Sequence, residues 1–206
     1  PKGSLREMLG RFYGPRTLLL WVLWFGTYLI NNGLVTWLPT LYRTVFGLPV
    51  RQAIGLGFGM TSLACLAALV CALCIDKVGR RRWYAGALGG ASVALFTLYA
   101  VGAPGVAYVF IFTTITYSCV QTITYSLYLY SAELYPTRLR ATGAGFGSAW
   151  LRAGSMAGPW LIGLIVDSHA ITYVFMVFGV IATLTGVVCW LFAPETTGRS
   201  LEELSP

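Results

Sequence analysis

The sequence predicts an all-α integral membrane protein, and two observations carry that prediction. Of the 206 residues, 57% are hydrophobic and only 10% are charged, whereas a soluble domain usually carries about 25% charged residues. The apolar residues are also gathered into six stretches, each close to the roughly 20 residues that a helix needs to cross a bilayer. We therefore expect six transmembrane helices.

Connections of uneven length separate the first three predicted spans. The first runs over 17–39, the second over 53–75 and the third over 83–102. Asp76 closes the second span, and Gly79 permits the reversal that follows, because glycine adopts the backbone conformations that such turns require.

The connections among the last three predicted spans also differ in length. The fourth, 106–130, follows the third after the Ala-Pro-Gly sequence at 103–105. Pro136 prevents that helix from continuing, since proline breaks helix interiors. The fifth and sixth spans run over 142–166 and 170–192. These short connections leave no room for a second soluble domain.

Basic residues orient the spans. With the N-terminus placed inside, eleven basic residues fall on that side: Lys2, Arg6, Arg11, Arg16, Lys77, Arg80, Arg81, Arg82, Arg138, Arg140 and Arg199. Only Arg43 and Arg51 fall on the other side. Because short basic loops stay in the cytoplasm, we expect a multi-pass plasma or inner membrane protein with both ends of the chain cytoplasmic. The net charge of +7 then reflects topology and gives no reason to expect a nucleic-acid partner.

The spans divide the chain into three parts. We expect 1–16 to be a cytoplasmic segment, 17–193 to be the transmembrane bundle and 194–206 to be a cytoplasmic tail. The first segment is predicted to contain an interfacial helix, because its apolar residues share one helical face. These residues are Leu5, Met8, Leu9 and Phe12.

Arg152 stands inside the otherwise uncharged fifth span. An arginine at membrane depth is costly and usually has a partner or a ligand. Small residues in the same span allow close helix packing around a cavity; they are Gly143, Gly145, Gly147, Gly154 and Gly158. We favour a site for a negatively charged ligand. The alternatives are that Arg152 reaches an interface or neutralises a structural carboxylate.

The fourth span carries a polar stripe at helical spacing, formed by Thr114, Tyr117, Gln121, Tyr125 and Tyr128. Such a stripe must face protein or water and not lipid, so it either lines a cavity for a polar solute or bonds neighbouring helices. Asn31 and Asn32 in the first span present the same two alternatives. We favour cavity lining for one of them.

Two charged reversals lie on the predicted cytoplasmic side. The first reads Asp76-Lys-Val-Gly-Arg-Arg-Arg82, and the second places Glu133 before Pro136, with Arg138 and Arg140 after it. Glu133 can pair with arginines of the first reversal. Exposed pairs are weak, yet a network at a closing surface can bias a conformational equilibrium. The alternative is a set of solvated topology charges.

Three motifs occur in order at predicted cytoplasmic span ends. They are Asp76-x-x-Gly79-Arg80-Arg81, Glu133-x-x-Pro136-x-x-x-Arg140-x-x-Gly143 and Pro194-Glu195-Thr196-x-Gly198-x-Ser200-Leu201-Glu202-Glu203. Together they resemble the C-terminal half of a major facilitator superfamily transporter, in its sugar porter-like and organic ion branch. The resemblance implies a six-helix bundle of two inverted three-helix repeats. It also implies a cytoplasmic gating network, for which the candidate residues are Asp76, Gly79, Arg80, Arg81, Glu133, Arg140 and Glu195.

Other residues bear on the branch. The first span lacks the glutamines usual in sugar porters, and Thr197 stands where a lysine is usual. Tyr130-x-x-Glu133-Leu-Tyr-Pro-Thr137 and Leu151-Arg152-Ala-Gly-Ser155-x-x-Gly-Pro159 resemble instead organic anion and metabolite:proton symporters. In such relatives an arginine at the position of Arg152 is implicated in anion binding.

The leading hypothesis is therefore half of a secondary active transporter for a small organic anion, a carboxylate, aromatic ones included. The candidate substrate-binding residues are Arg152, Asn31, Asn32, Tyr117, Gln121 and Tyr125. Proton coupling is expected from relatives, but since no carboxylate lies mid-span, its site would belong to a missing N-terminal six-helix half. The alternatives are a sugar or polyol transporter and a non-transporting fragment or assembly protein. No catalytic, metal or cofactor motif argues for an enzyme.

Overall fold

In the computed structural model, residues 5–168 and 171–196 are described. They form seven helices. Their bounds are α1 Leu5–Met8, α2 Gly14–Thr44, α3 Val50–Val78, α4 Arg80–Val101, α5 Val106–Leu134, α6 Thr137–Ser168 and α7 Thr172–Phe192. Within this described part, six helices are long and apolar enough to cross a membrane, and no strand is present. The all-α, six-span fold class predicted from the sequence is confirmed.

Five of the six long helices extend beyond their predicted spans at one end or both, and only α7 does not. Helix α2 has 31 residues and contains Pro39, where the first predicted span ended. At 1.5 Å per residue it is about 46 Å long, against about 30 Å for the hydrocarbon core. Hydropathy detects only the part of a helix that lies inside the hydrocarbon. The polar helical turns beyond that part are therefore not predicted.

Four helices form a ring, in the order α2, α5, α4 and α7, with each packed on the next. Helix α6 packs on the outside of α2, and α3 packs on the outside of α5. If α2, α3 and α4 are exchanged with α5, α6 and α7, the same helix pairs remain in contact. This symmetry is what two three-helix repeats require. Because α2 and α5 are the first and fourth spans, they cross in opposite directions, and the repeats are inverted. The α2–α5 edge of the ring therefore lies opposite the α4–α7 edge.

Glycines bring α6 against α2. A Cβ atom on Gly154 would lie 2.4 Å from the Phe25 carbonyl oxygen, and one on Gly158 would lie 2.4 Å from that of Leu29. No side chain fits at such distances, so the two backbones touch only because both positions are glycine. The small residues seen in the sequence thus place α6 firmly beside α2.

The N-terminal segment is bound to the bundle. Helix α1 is a single turn, and Met8 is completely buried. The Thr17 hydroxyl donates to the Met8 carbonyl oxygen at 2.8 Å, while Leu9 and Phe12 stay exposed. The predicted apolar face is therefore divided between the protein and its surroundings. The assignment of 1–16 to the membrane interface stays a prediction, and residues 1–4 lie outside the described part.

Candidate functional site

Arg152 lies at the centre of α6, fifteen residues after Thr137 and sixteen before Ser168. Its side chain is exposed, and within the described residues it makes no hydrogen bond or ion pair. In a helix centred in the bilayer, about 15 Å of hydrocarbon would lie on either side of it. Reaching an interface is a solution for arginines near helix ends. The described residues therefore supply no carboxylate partner for Arg152, and its mid-helix position favours a ligand over an interface.

The two asparagines bond α2 to its neighbours. The Asn31 amide donates to the Gln121 side-chain oxygen of α5. The Asn32 amide donates to the Ser155 hydroxyl of α6 at 3.0 Å. Ser155 follows Arg152 by three residues, so the two are neighbours on one face of α6. Both asparagines thus bridge helices, and Asn32 does so beside Arg152 while remaining partly accessible.

Four aromatic residues gather where α2 meets α5; we call Trp24, Tyr28, Tyr125 and Tyr128 the aromatic cluster. The Trp24 ring stacks on Tyr28, with centroids 5.6 Å apart, and meets Tyr128 edge-on at 4.6 Å. Tyr28 also lies beside Tyr125. Trp24 is buried, whereas Tyr125 and Tyr128 are 62% and 53% exposed. The aromatic cluster therefore presents the rings and hydroxyls of Tyr125 and Tyr128 on its accessible side.

Trp24 and Tyr28 did not emerge as site candidates from the sequence, although a signal was present. They precede Asn32 at intervals of four residues, which places all three on one face of α2. The sequence does not show that this face packs against α5, and this contact is what brings Trp24 and Tyr28 to the site.

The polar stripe of α5 has buried and open parts. Tyr117 is only 6% exposed and lies beside Thr61 of α3. The Thr114 hydroxyl is buried without a hydrogen-bond partner among the described residues. Gln121 is partly buried in its bond with Asn31, and Tyr125 is open. The structure therefore groups Gln121 and Tyr125 with the asparagines and the aromatic cluster, and places Tyr117 deeper between α3 and α5.

A second group lies at the end of the bundle where α3 meets α4 and α5 meets α6, which we call the charged end. Arg80 is 7% exposed and pairs with Asp76 of α3 and with Glu133 of α5, the latter at 2.8 Å. The other Glu133 oxygen accepts from the Thr196 hydroxyl at 2.7 Å. One Glu195 oxygen accepts from the backbone N–H of Arg80 at 3.0 Å. These five residues form the charged cluster, which ties α3, α4 and α5 to the segment after α7.

Position 79 must be glycine for two separate reasons. Its φ of +96° lies in the left-handed region, where a side chain is strained. A Cβ atom there would also lie 2.5 Å from a Glu195 oxygen. The turn is therefore shaped to receive that carboxylate.

The other two predicted network residues are placed elsewhere. Arg81 donates to the Trp190 carbonyl oxygen at 2.8 Å and lies over that ring, 5.0 Å from its centroid. Arg140 donates to the Tyr135 carbonyl oxygen at 3.1 Å. Both lie at the charged end without joining the charged cluster. The remainder of the tail motif, from Thr197 onward, and Arg199 lie outside the described residues.

A six-span bundle of inverted three-helix repeats, with a charged cluster at one end, is the architecture of one half of a major facilitator fold. The chain belongs to the sugar (and other) transporter family, whose sequence model matches residues 2–206.

Curated relatives support this assignment. The chain is 28% identical over 207 residues to the niacin transporter NiaP of Acinetobacter baylyi, covering 98% of this chain and 45% of the relative. It is 29% identical over 216 residues to organic cation/carnitine transporter 7 of Arabidopsis thaliana, covering 98% and 42%. It is 30% identical over 186 residues to mouse solute carrier family 22 member 6, covering 90% and 32%. The chain thus spans less than half the length of these relatives.

Solved structures show the same fold. A double-tryptophan mutant of XylE superposes with a TM-score of 0.84 at 17% identity, covering 98% of this chain and 44% of that one. A D-xylose–proton symporter superposes with a TM-score of 0.74 at 16% identity, covering 96% and 46%.

Proposed function

We propose that the chain is one half of a secondary active transporter that carries a small organic anion by alternating access. The observation that carries this proposal is the exposed guanidinium of Arg152 at the middle of α6. A cation at that depth is costly without an opposite charge. A substrate carboxylate supplies that charge and matches the two parallel donors of a guanidinium.

The surroundings of Arg152 favour an aromatic scaffold for this anion. Tyr125 and Tyr128 present open rings that can stack on or meet the edge of a flat substrate. Gln121 and Asn32 provide amides for its polar substituents. Niacin, which names one of the relatives, is itself an aromatic carboxylate. We therefore place a carboxylate on Arg152 and an aromatic ring against the aromatic cluster.

The other half of the transporter is needed to close this site. The candidate residues lie on α2, α5 and α6, and Arg152 and Tyr125 among them are exposed on the surface of the bundle. In alternating access, two such bundles rock about a site between them. No aspartate or glutamate lies mid-span in the described helices, so a proton-binding acid would come from an N-terminal six-helix half. We place both ends of this chain, and the charged end, on the cytoplasmic side of a plasma or inner membrane.

The charged cluster is proposed to hold the cytoplasmic side closed. Arg80 joins carboxylates from two different helices, so the pairs must separate if α3 and α5 move apart. Such an arrangement favours the outward-facing state without touching the substrate.

A neutral sugar or polyol is the second candidate. The fold similarity to xylose transporters and the amide and hydroxyl groups of the site both suit a polyhydroxylated solute. Arg152 would then have no ligand charge to bind, which is why we rank this candidate second.

Uptake into proteoliposomes that contain the full-length protein tests the proposal. Nicotinate and benzoate should be taken up, while nicotinamide, which keeps the ring and lacks the charge, should not compete. An inward proton gradient should increase the uptake of both acids. Uptake of xylose with none of either acid would favour the second candidate, and no uptake of any solute would favour a non-transporting role.

A further inference from the structure

The charged end contains a basic cavity away from the candidate substrate site. It has a volume of about 420 Å³ and is lined by Lys77, Arg81, Arg82, Trp190 and Glu195, with Val78 and Gly79 between them. Glu195 already accepts hydrogen bonds from two backbone N–H groups. Lys77 and Arg82 make no hydrogen bond or ion pair within the described chain. Three cations against one engaged carboxylate leave the cavity positive.

An apolar groove adjoins this cavity. It has a volume of about 580 Å³ and runs between α4 and α7, and Arg82 and Trp190 line both spaces. Small residues leave this space open between the two helices, among them Gly86, Gly89 and Ala182. The groove is thus mostly apolar, and it shares the Arg82 guanidinium and the Trp190 indole with the basic cavity.

The groove lies on the lipid side of the bundle. The α4–α7 edge of the ring is opposite the α2–α5 edge, where the aromatic cluster opens. Val187 and Leu191 beside the groove are 47% and 61% exposed. A second six-helix half that covers the α2–α5 edge would leave this groove facing the bilayer.

We propose that this cavity and groove bind one anionic phospholipid. The phosphate lies among Lys77, Arg81 and Arg82, and one acyl chain lies along the groove between α4 and α7. Trp190 marks the boundary between the two, where an indole suits the headgroup region. Basic pockets between transmembrane helices on the cytoplasmic side are suited to anionic headgroups, and the inner leaflet supplies them. The inference needs the proposed orientation of the membrane but is independent of the transported substrate.

The lipid would also strengthen the charged end. Glu195 and Gly79 line the cavity and belong to, or touch, the charged cluster. A phosphate bound by Arg81 would lie where α4 meets the end of α7, because Arg81 also donates to the Trp190 carbonyl oxygen. An anionic lipid therefore acts on the same closure that Arg80 maintains.

Native mass spectrometry of the full-length protein tests the proposal, with dioleoyl phosphatidylglycerol as the probe and phosphatidylcholine of the same chains as its neutral counterpart. Wild type should bind the anionic lipid more tightly. The double variant Lys77→Gln/Arg82→Gln should bind it about 30-fold more weakly, since each basic residue near an anionic surface contributes about fivefold. A matched control, Arg43→Gln/Arg51→Gln, removes two exposed cations at the opposite end and should change nothing.

A second variant tests the groove without touching the charges. A Cβ atom on Gly89 meets nothing within 4 Å, so Gly89→Leu fills the groove and spares the fold. It should weaken phosphatidylglycerol binding and leave binding of soluble glycerol phosphate unchanged. Gly163→Leu on α6, which is equally unobstructed, is its control. Equal affinity for both lipids, or wild-type binding by both test variants, would overturn the proposal. Tight binding of glycerol phosphate that Gly89→Leu leaves intact, with no preference for the lipid, would show a free-anion site instead.

Discussion

Replacing Arg152 tests the proposed substrate site directly, because the substitution should change ligand binding without disturbing the fold. Within the described residues, the side chain of Arg152 is exposed and has no hydrogen bond or ion pair to lose. Arg152→Ala should therefore leave the Asn32–Ser155 bond and the α2–α6 contact in place. Its thermal unfolding temperature should stay near that of wild type or rise, because an uncompensated charge is removed from membrane depth.

Binding should respond very differently. Loss of a hydrogen-bonded charge pair typically costs about 2–5 kcal/mol, or roughly 30- to 4,000-fold in affinity. Arg152→Lys keeps the positive charge but loses the two parallel N–H donors of the guanidinium. Losing one charged hydrogen bond costs about 1.5–3 kcal/mol, or roughly 10- to 150-fold. We therefore expect the affinity for nicotinate to fall from wild type to Arg152→Lys and again to Arg152→Ala. The affinity for nicotinamide should change little.

The assay is isothermal titration of the purified full-length protein with both compounds, alongside Arg51→Ala as a surface control. Wild-type nicotinate affinity in a folded Arg152→Ala protein would refute the assignment of the carboxylate to Arg152. Equal loss for nicotinate and nicotinamide, together with a lower unfolding temperature, would show that Arg152 is structural.

Three further predictions follow from the geometry. Glu133→Gln should slow turnover more than it weakens substrate binding, and more than Asp76→Asn does, because the Glu133 side chain is 19% exposed and that of Asp76 is 74% exposed; equal transport rates in both variants and wild type would contradict a gating role. Gly158→Ala should lower the unfolding temperature, since its Cβ would lie 2.4 Å from a backbone oxygen of α2, while Gly163→Ala should not; matching melting curves would contradict the close α2–α6 contact. A cysteine at Val78 in a cysteine-free protein should react with an impermeant maleimide only after the cell is opened; labelling of intact cells would reverse the topology.

The fold was largely accessible from the sequence because its two signals are local. A window of apolar residues locates a span regardless of its neighbours, so all six spans were found. A turn motif such as that around Gly79 depends on its own backbone, and the reversal lies where it was predicted. Helix ends were less accessible, as Pro39 shows, because a helix continues wherever its backbone is satisfied.

The site was accessible only in part, because its contacts join distant helices. The sequence identified Asn31 and Asn32 and favoured cavity lining for one of them, whereas both side chains bridge helices in the structure. That outcome depends on Gln121, ninety residues away, and on Ser155. Arg152 was found from its unusual depth, yet the lack of a partner in the described chain becomes visible only when the surrounding helices are placed.

Helix α5 carries residues of both the candidate substrate site and the charged cluster. Tyr125 opens into the candidate substrate site, and Glu133, eight residues further along the same helix, binds Arg80 in the charged cluster. At 1.5 Å per residue these positions are about 12 Å apart along one rigid rod. If a substrate drew Tyr125 inward, a rigid α5 would shift or tilt Glu133, and the Arg80 pairs with two carboxylates on different helices would resist that shift. We infer that α5 couples substrate contact to opening of the charged end, so a weakened Glu133 pair changes the rate of exchange without altering any group that contacts the substrate.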